Sequence, residues 1–171
     1  IKYYTEKNAF QVTETYDLLK AIRESTGQSL DWFFEEWIYR GGEPHYQVSY
    51  ETVTDEFKEN YVVFTVKQIH PVSSLIKYFK MPIEFEVHYT DGSIDSQTHW
   101  VEGETTIVKM LNLSGKTVDF AVFDPNRKII KKLNFKRSFR ELSAQILKSK
   151  NMIDRYDALL EIKDKASDVK R

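Results

Sequence analysis

Apolar positions along the chain change period twice. Between Thr15 and Arg40 they recur at helical spacing. Leu18, Leu19 and Ile22 form one stripe, and Leu30, Phe33, Phe34, Trp37 and Ile38 form a second. The spacing predicts two helices, 15–27 and 29–40. Thr15 caps the first, Asp17 sits in the turn where negative charge suits the helix dipole, and Gly27 stops it. Ser29 caps the second, and Gly41, Gly42 and Pro44 end it. Burying the second stripe is worth about 8–15 kcal/mol at about 1.5–3 kcal/mol per large side chain, so it demands a surface to pack on.

From Tyr46 the period falls to two. Tyr46, Val48 and Tyr50 share one face of a strand, Val62, Phe64 and Val66 one face of the next, and 81–89 alternates strictly. Asp91-Gly92 predicts a two-residue hairpin turn into a strand over 94–100. In that register Glu84 faces His99, Glu86 faces Gln97 and His88 faces Asp95. These six then share a wet face, with Phe85, Val87, Tyr89, Ile94 and Trp100 on the other. Three further strands are expected at 105–111, 117–123 and 128–135, with a turn at Asp124-Pro125-Asn126.

The helical period returns after Ser138, first in Phe139, Leu142 and Ile146, then in Ile153, Tyr156, Leu159 and Leu160, with a break near Asn151. Residues 163–171 read as a solvated helix end or a frayed tail. The expected fold is α+β: an N-terminal helix pair, an antiparallel seven-stranded immunoglobulin-like β-sandwich, and C-terminal helices. The units are expected at 1–44, 45–136 and 137–171.

Composition narrows the function classes. At 171 residues, 41% hydrophobic and 30% charged, the chain has an ordinary globular balance. A net charge of -1 supplies no field to draw it to nucleic acid or to an anionic membrane, so neither partner is expected. No apolar run approaches the about 18 residues of a membrane span, and no signal-peptide pattern opens the chain. Without cysteine there is no disulfide, no thiolate zinc site and no cysteine nucleophile, while the compartment stays open. The first residue is Ile1, and we expect a piece cut from a longer polypeptide.

Candidate chemistry is sparse. The histidines are His45, His70, His88 and His99, and no two sit four apart as a helical zinc pair requires. His88 and His99 with Glu84, Glu86 and Asp95 could form a metal clip, but charge pairs on a wet sheet face account for the same residues. Glu35 and Glu36 are adjacent on a helix and diverge by about 100°, too far to flank one bond. Trp32, Phe33, Phe34 and Trp37 read as core rather than as a substrate platform. Lys128, Lys131, Lys132, Lys136, Arg137 and Arg140 cluster in sequence as a solvated basic face or an anion site. No catalytic, cofactor-binding or metal-ligating residue is assigned.

Four places resemble M1-family zinc aminopeptidases. Thr15-Tyr-Asp-Leu18, Leu30-Asp-Trp-Phe-Phe-Glu-Glu-Trp37 and Gly42-Glu-Pro44 are similar to two helices and an exit that the family carries downstream of its active site. Phe79-Lys-Met-Pro-Ile83, Val122-Phe-Asp-Pro-Asn126 and Met152-Ile-Asp-Arg-Tyr-Asp-Ala158 resemble, in order, the entry and the Asp-Pro turn of its β-sandwich domain and the opening of its HEAT-like helical domain. The resemblance implies a parent that uses a zinc ion, held by His-Glu-x-x-His and a downstream glutamate, to remove N-terminal residues from peptides. None of those ligands is in this chain, nor are the family's Gly-x-Met-x-Asn motif and its catalytic tyrosine region.

The expected role is a non-catalytic structural portion of such an enzyme. Its partners would be the upstream catalytic domain and the downstream helical domain of the same polypeptide, with peptide substrates for the parent and self-association through the helix pair. The rival expectation is a free-standing immunoglobulin-like protein-interaction module.

Overall fold

The structure is a computed structural model and describes residues 1–168. Three helices come first: α1 (Lys2–Lys7), α2 (Thr15–Thr26) and α3 (Asp31–Trp37). Seven strands follow: β1 (His45–Thr54), β2 (Asn60–Gln68), β3 (Met81–Tyr89), β4 (Ile94–Val101), β5 (Thr105–Leu111), β6 (Val118–Phe123) and β7 (Lys132–Phe135). Helices α4 (Phe139–Lys148) and α5 (Met152–Asp168) complete the order, so the expected tail runs on as helix as far as it is described, and 169–171 lie outside the described residues.

The strands form two sheets, ordered β5-β2-β1-β7 and β4-β3-β6. Alternation puts Tyr46, Val48, Val62, Phe64 and Val66 of one sheet into the same buried cluster as Met81, Ile83, Phe85, Val87 and Phe123 of the other. Phe64 meets Phe85 edge-on at 5.0 Å, and Tyr46 meets Phe123 at 5.4 Å. Both sheets thus share one core. β6 is apolar on both faces because both are covered. Ala121 and Phe123 point into that core, while Phe120 and Val122 pack with Ala144 of α4.

The sheets are not wholly antiparallel as expected, because β7 runs parallel to β1, from His45 opposite Lys132 to Val48 opposite Phe135. Nor does β7 begin at Lys128. The Asp124 carboxylate accepts the backbone N–H groups of Lys128 (3.1 Å) and Ile129 (3.2 Å), which takes them out of any ladder.

The β3–β4 register also departs from expectation. Glu84 faces Thr98, Glu86 faces Ser96 and His88 faces Ile94. The Gly92 N–H donates to the Tyr89 carbonyl and the Tyr89 N–H to the Ser93 carbonyl. The loop therefore holds three residues, Thr90-Asp91-Gly92, with Gly92 at φ 85° as the left-handed residue of a bulged turn. Asp91 secures it by accepting from the Ser93 N–H (2.9 Å) and hydroxyl (2.6 Å). One extra loop residue turns β4 over. Trp100 now lies across from Pro82 on the Glu84 side, and His99 across from Ile83.

Helix ends shift for local reasons. α2 is capped by Glu14, whose N–H donates to the Asp17 carboxylate at 2.8 Å, rather than by Thr15. α3 starts at Asp31, with the Ser29 hydroxyl accepting the Asp31 N–H at 3.3 Å. It stops at Trp37 rather than Arg40, because the Ile38 and Tyr39 N–H groups both converge on the Phe34 carbonyl. The short helix buries Phe34 but leaves Phe33 39% and Ile38 52% exposed, so this chain covers only part of the stripe.

Helix α4 is held twice. Asp119 on β6 accepts from Lys148 (2.6 Å) and Arg140 (3.4 Å). Ser138 and Glu141 form a reciprocal capping box, in which the Glu141 carboxylate accepts the Ser138 N–H at 2.7 Å and also the Tyr50 hydroxyl of β1. Replacing Ser138 with alanine is expected to cost about 1 kcal/mol in urea unfolding; no loss would show that Glu141 and Tyr50 hold the helix start alone.

Candidate functional site

Helix α3 docks on the sheets through aromatic edges. Trp32 stands perpendicular to Trp100 at 5.3 Å, and Trp37 packs on Phe79 at 5.3 Å. The turned-over β4 makes the first contact, since it carries Trp100 out of the shared core. Beneath Trp32, one helical turn on, lies Glu36, only 8% exposed. Its Oε1 accepts the Lys80 N–H at 2.6 Å. Its Oε2 and the hydroxyl of fully buried Tyr46 have no hydrogen-bond partner among the described residues. Burial pushes the Glu36 carboxyl above the ordinary carboxylate range, against the pull of the Lys80 N–H and of the Arg40 and Lys80 charges.

A second polar centre lies where the sheets meet the C-terminal helices. Lys131 is paired with Asp124, their side chains only 7% and 2% exposed. Burial raises the Asp124 carboxyl, while Lys131 and the Ile129 and Lys128 N–H groups oppose the rise. Asp124, Asn126 and Arg127 all have positive φ, and the loop they shape reaches α5. The Asn126 N–H donates to Asp154 at 2.8 Å, and Arg127 pairs with Asp157. Gln145 of α4 in turn donates to the Asp154 carbonyl at 2.7 Å.

The residues singled out in the sequence are scattered. His88 is buried, stacked on Phe120 at 4.1 Å and hydrogen-bonded to Glu86 at 3.0 Å, on a face that α4 covers rather than a wet one. His99 bonds Gln97 at 3.0 Å, Asp95 accepts from Tyr89 at 3.0 Å, and Glu84 pairs with Lys128. His70 approaches the His45 N–H (3.4 Å) and the Lys77 carbonyl (3.1 Å). Among the described residues no group of three or more histidines or acids could hold a metal ion.

The basic run does not converge either. Lys128 goes to Glu84, Lys131 to Asp124, Lys132 to Glu43, Arg137 to Glu161 and Arg140 to Asp119. Among the described residues only Lys136 of this run has no such pair, so the run is spent on internal ion pairs rather than gathered as an anion site. Glu35 is exposed and bonds Arg40 at 2.7 Å, while Glu36 is buried, which separates the two carboxylates completely.

Two open grooves remain. One, of about 890 Å³, runs between β7 and α5 past Ile129, Leu133, Phe135 and Leu160. The other, of about 990 Å³, lies over β1 between Tyr50, Lys116, Arg140 and Glu141. Their charged walls are largely ion-paired, and in the second the Ser138 hydroxyl donates to the Glu141 carboxylate as part of the α4 capping box. Among the described residues no helix is long and apolar enough to cross a membrane.

Sequence reasoning weighed Glu36 only as half of an adjacent carboxylate pair and Lys131 only as part of a basic run, whereas both side chains are buried, and it gave Tyr46 and Asp124 no role in a polar centre. The Trp32–Glu36 spacing, four residues on one helix face, was the available signal for the first.

No protein-family model and no curated protein matches this chain. Among solved structures it is similar to Legionella pneumophila aminopeptidase A, crystallised in complex with aspartic acid, with a TM-score of 0.70 and 16% sequence identity. The match covers 91% of this chain but 17% of that one, so the chain spans about one sixth of the aminopeptidase. At this identity the likeness is one of fold alone.

Proposed function

We propose that this chain is a non-catalytic structural portion of a zinc-dependent aminopeptidase of the M1 type. The observation that carries the reading is the nearly complete cover of this chain by one sixth of an aminopeptidase. The Leu30–Trp37 and Asp124-Pro125 resemblances, in the order the family has them, support it independently. In this reading 1–44 are the last helices of a catalytic domain, 45–136 an immunoglobulin-like β-sandwich, and 137–171 the start of a HEAT-like domain. The peptide chemistry and the zinc belong to the upstream part. Among the described residues no group of histidines and acids fits that metal.

The role is to brace. Trp32, Trp37 and Glu36 fasten α3 to the sheets, and Asp154 and Asp157 fasten the loop after β6 to α5, so helices on either side are held in fixed relation to the sheets. Val12, Tyr16, Phe33, Ile38 and Tyr39 stay exposed on the N-terminal segment. A catalytic domain is the partner that would cover them.

The test is to mix the chain with a separately produced upstream fragment carrying the His-Glu-x-x-His segment. Association is expected, with thermal stabilisation of about 2.7 kcal/mol at one hundred times Kd. Phe33→Asp, which changes an exposed side chain, should abolish the association without unfolding the chain. A strict monomer that ignores the fragment would overturn the reading, as would one zinc per chain, or peptide turnover, retained by the isolated chain.

A further inference from the structure

Helix α3 is joined to the sheets by apolar contacts and one polar one. Among the described residues, the bond from the Lys80 N–H to Glu36 is the single hydrogen bond between this helix and the sheets or their connecting segments. It is an unusual tie. A carboxylate almost completely out of water holds one N–H on one oxygen and nothing on the other. A buried charge with half its hydrogen-bonding capacity unmet opposes the contact that it makes. We propose that Glu36 is a proton-controlled clasp, holding α3 on the sheets more tightly when its carboxyl is protonated than when it is ionised.

The surroundings favour the neutral form. On the helix and its exit, the charges facing Glu36 are Glu35 and Arg40, and these two are bonded to each other at 2.7 Å. From the segment before β3 comes Lys80, whose ammonium pairs with Glu102 at 2.6 Å rather than with Glu36. From β1 comes the Tyr46 hydroxyl, buried, partnerless and close enough to feel the charges of Glu36 and Asp124. His70 stands behind Phe79 at 5.4 Å, on the same ring that Trp37 touches, and is bonded to the Lys77 carbonyl. Neither nearby cation is committed to the buried carboxylate. Protonation removes the charge, leaves Oε1 free to keep the Lys80 N–H, and supplies a hydroxyl donor where none existed.

Burial raises the carboxyl pKa of docked Glu36, which fixes the sign of the effect. Below the ordinary carboxylate value of about 4.3 the group is protonated whether α3 is docked or free, and the clasp contributes fully. As pH rises through the higher docked value, the free helix loses its proton first and the contribution drains away. Docking should therefore weaken from mildly acidic towards neutral pH. The inference rests on the packing of α3 alone and stands apart from the reading of the chain as an aminopeptidase portion.

The test follows the Glu36 carboxyl carbon by ¹³C NMR in the full chain while near-ultraviolet circular dichroism reports Trp32, Trp37 and Trp100. The Glu36 midpoint is expected above about 4.3. The tryptophan signal of the wild type should fall away with rising pH, while that of Glu36→Gln stays level. At neutral pH the Lys80 amide in Glu36→Gln should be protected from exchange by roughly tenfold more for each unit that the wild-type midpoint is raised. A midpoint at or below the ordinary value, or parallel wild-type and Glu36→Gln profiles, overturns the proposal. If Glu36→Gln does not fold, the wild-type titration decides alone.

Discussion

Lys131→Ala is expected to cost about 3–5 kcal/mol, far more than a surface lysine, because it leaves the Asp124 carboxylate buried without its counter-charge. Both side chains are almost wholly enclosed. The loss should not be uniform in pH. Burial already raises the Asp124 carboxyl in the wild type, and removing Lys131 takes away a group that opposes the rise. A raised folded-state pKa contributes stability that is present below the ordinary Asp value of about 3.9 and lost as pH climbs through the raised one. The gap between Lys131→Ala and wild type should therefore narrow on acidification. Asp124→Asn in the same chain should restore part of the stability at neutral pH, since it removes the buried charge, its amide oxygen can still accept one of the Lys128 and Ile129 N–H groups, which Asp124 takes on separate oxygens, and asparagine tolerates the φ of 55° there. Urea unfolding of the two single variants and the double variant measures this. A Lys131→Ala loss under about 1 kcal/mol at neutral pH would mean that water reaches the pair.

Phe85→Ala should be comparably severe, about 3–5 kcal/mol, by lost transfer energy and the cavity left behind. Phe85 is fully buried and its ring contacts Phe64 across the core and Phe123 on the neighbouring strand, at 5.0 and 5.3 Å. With the Tyr46–Phe123 contact, it is one of the ring pairings through which the two sheets hold each other. Phe85→Leu, which keeps much of the volume, should lose clearly less. Equal losses for the two substitutions would indicate that aromatic geometry, not volume, binds the sheets together.

These two sites bear on the proposed bracing role in different ways. Phe85 makes the body rigid, whereas the Asp124–Lys131 pair shapes the loop through which that body grips α5 by Asp154 and Asp157. A variant at Lys131 should loosen α5 before the sheets melt, and hydrogen exchange in 152–165 would show it.

Much of the fold is written in single-element periodicity. The alternation of Tyr46, Val48, Val62, Phe64, Phe85 and Val87 marks core positions that the structure buries completely, and the helical stripe after Ser138 locates α4 with its capping box. Such patterns are legible because a strand or helix face repeats at a fixed spacing whatever it packs against. The stripe of α3 was legible only in part. Trp32 and Trp37 pack on the sheet core and Phe34 is buried, but Phe33 and Ile38 stay exposed, since burial requires a neighbour and no periodicity supplies one. Helix α1 was missed altogether: six residues with none buried leave no apolar face to read.

What the sequence by itself determined is therefore which side chains are apolar neighbours within each element, and that no His-Glu-x-x-His segment occurs in it. The tertiary structure decided the rest. It set the β3–β4 register, because Asp91 can hold either turn length and only the hydrogen bonds through Tyr89, Gly92 and Ser93 select three residues over two. It set the parallel pairing of β7 with β1, and it set where that strand begins, because a carboxylate at Asp124 claimed the backbone groups that would have extended it. It also set the burial of Glu36, because the side of a helix that meets a sheet depends on the aromatic rings waiting there, Trp100 and Phe79, one on a strand whose faces a single loop residue had exchanged.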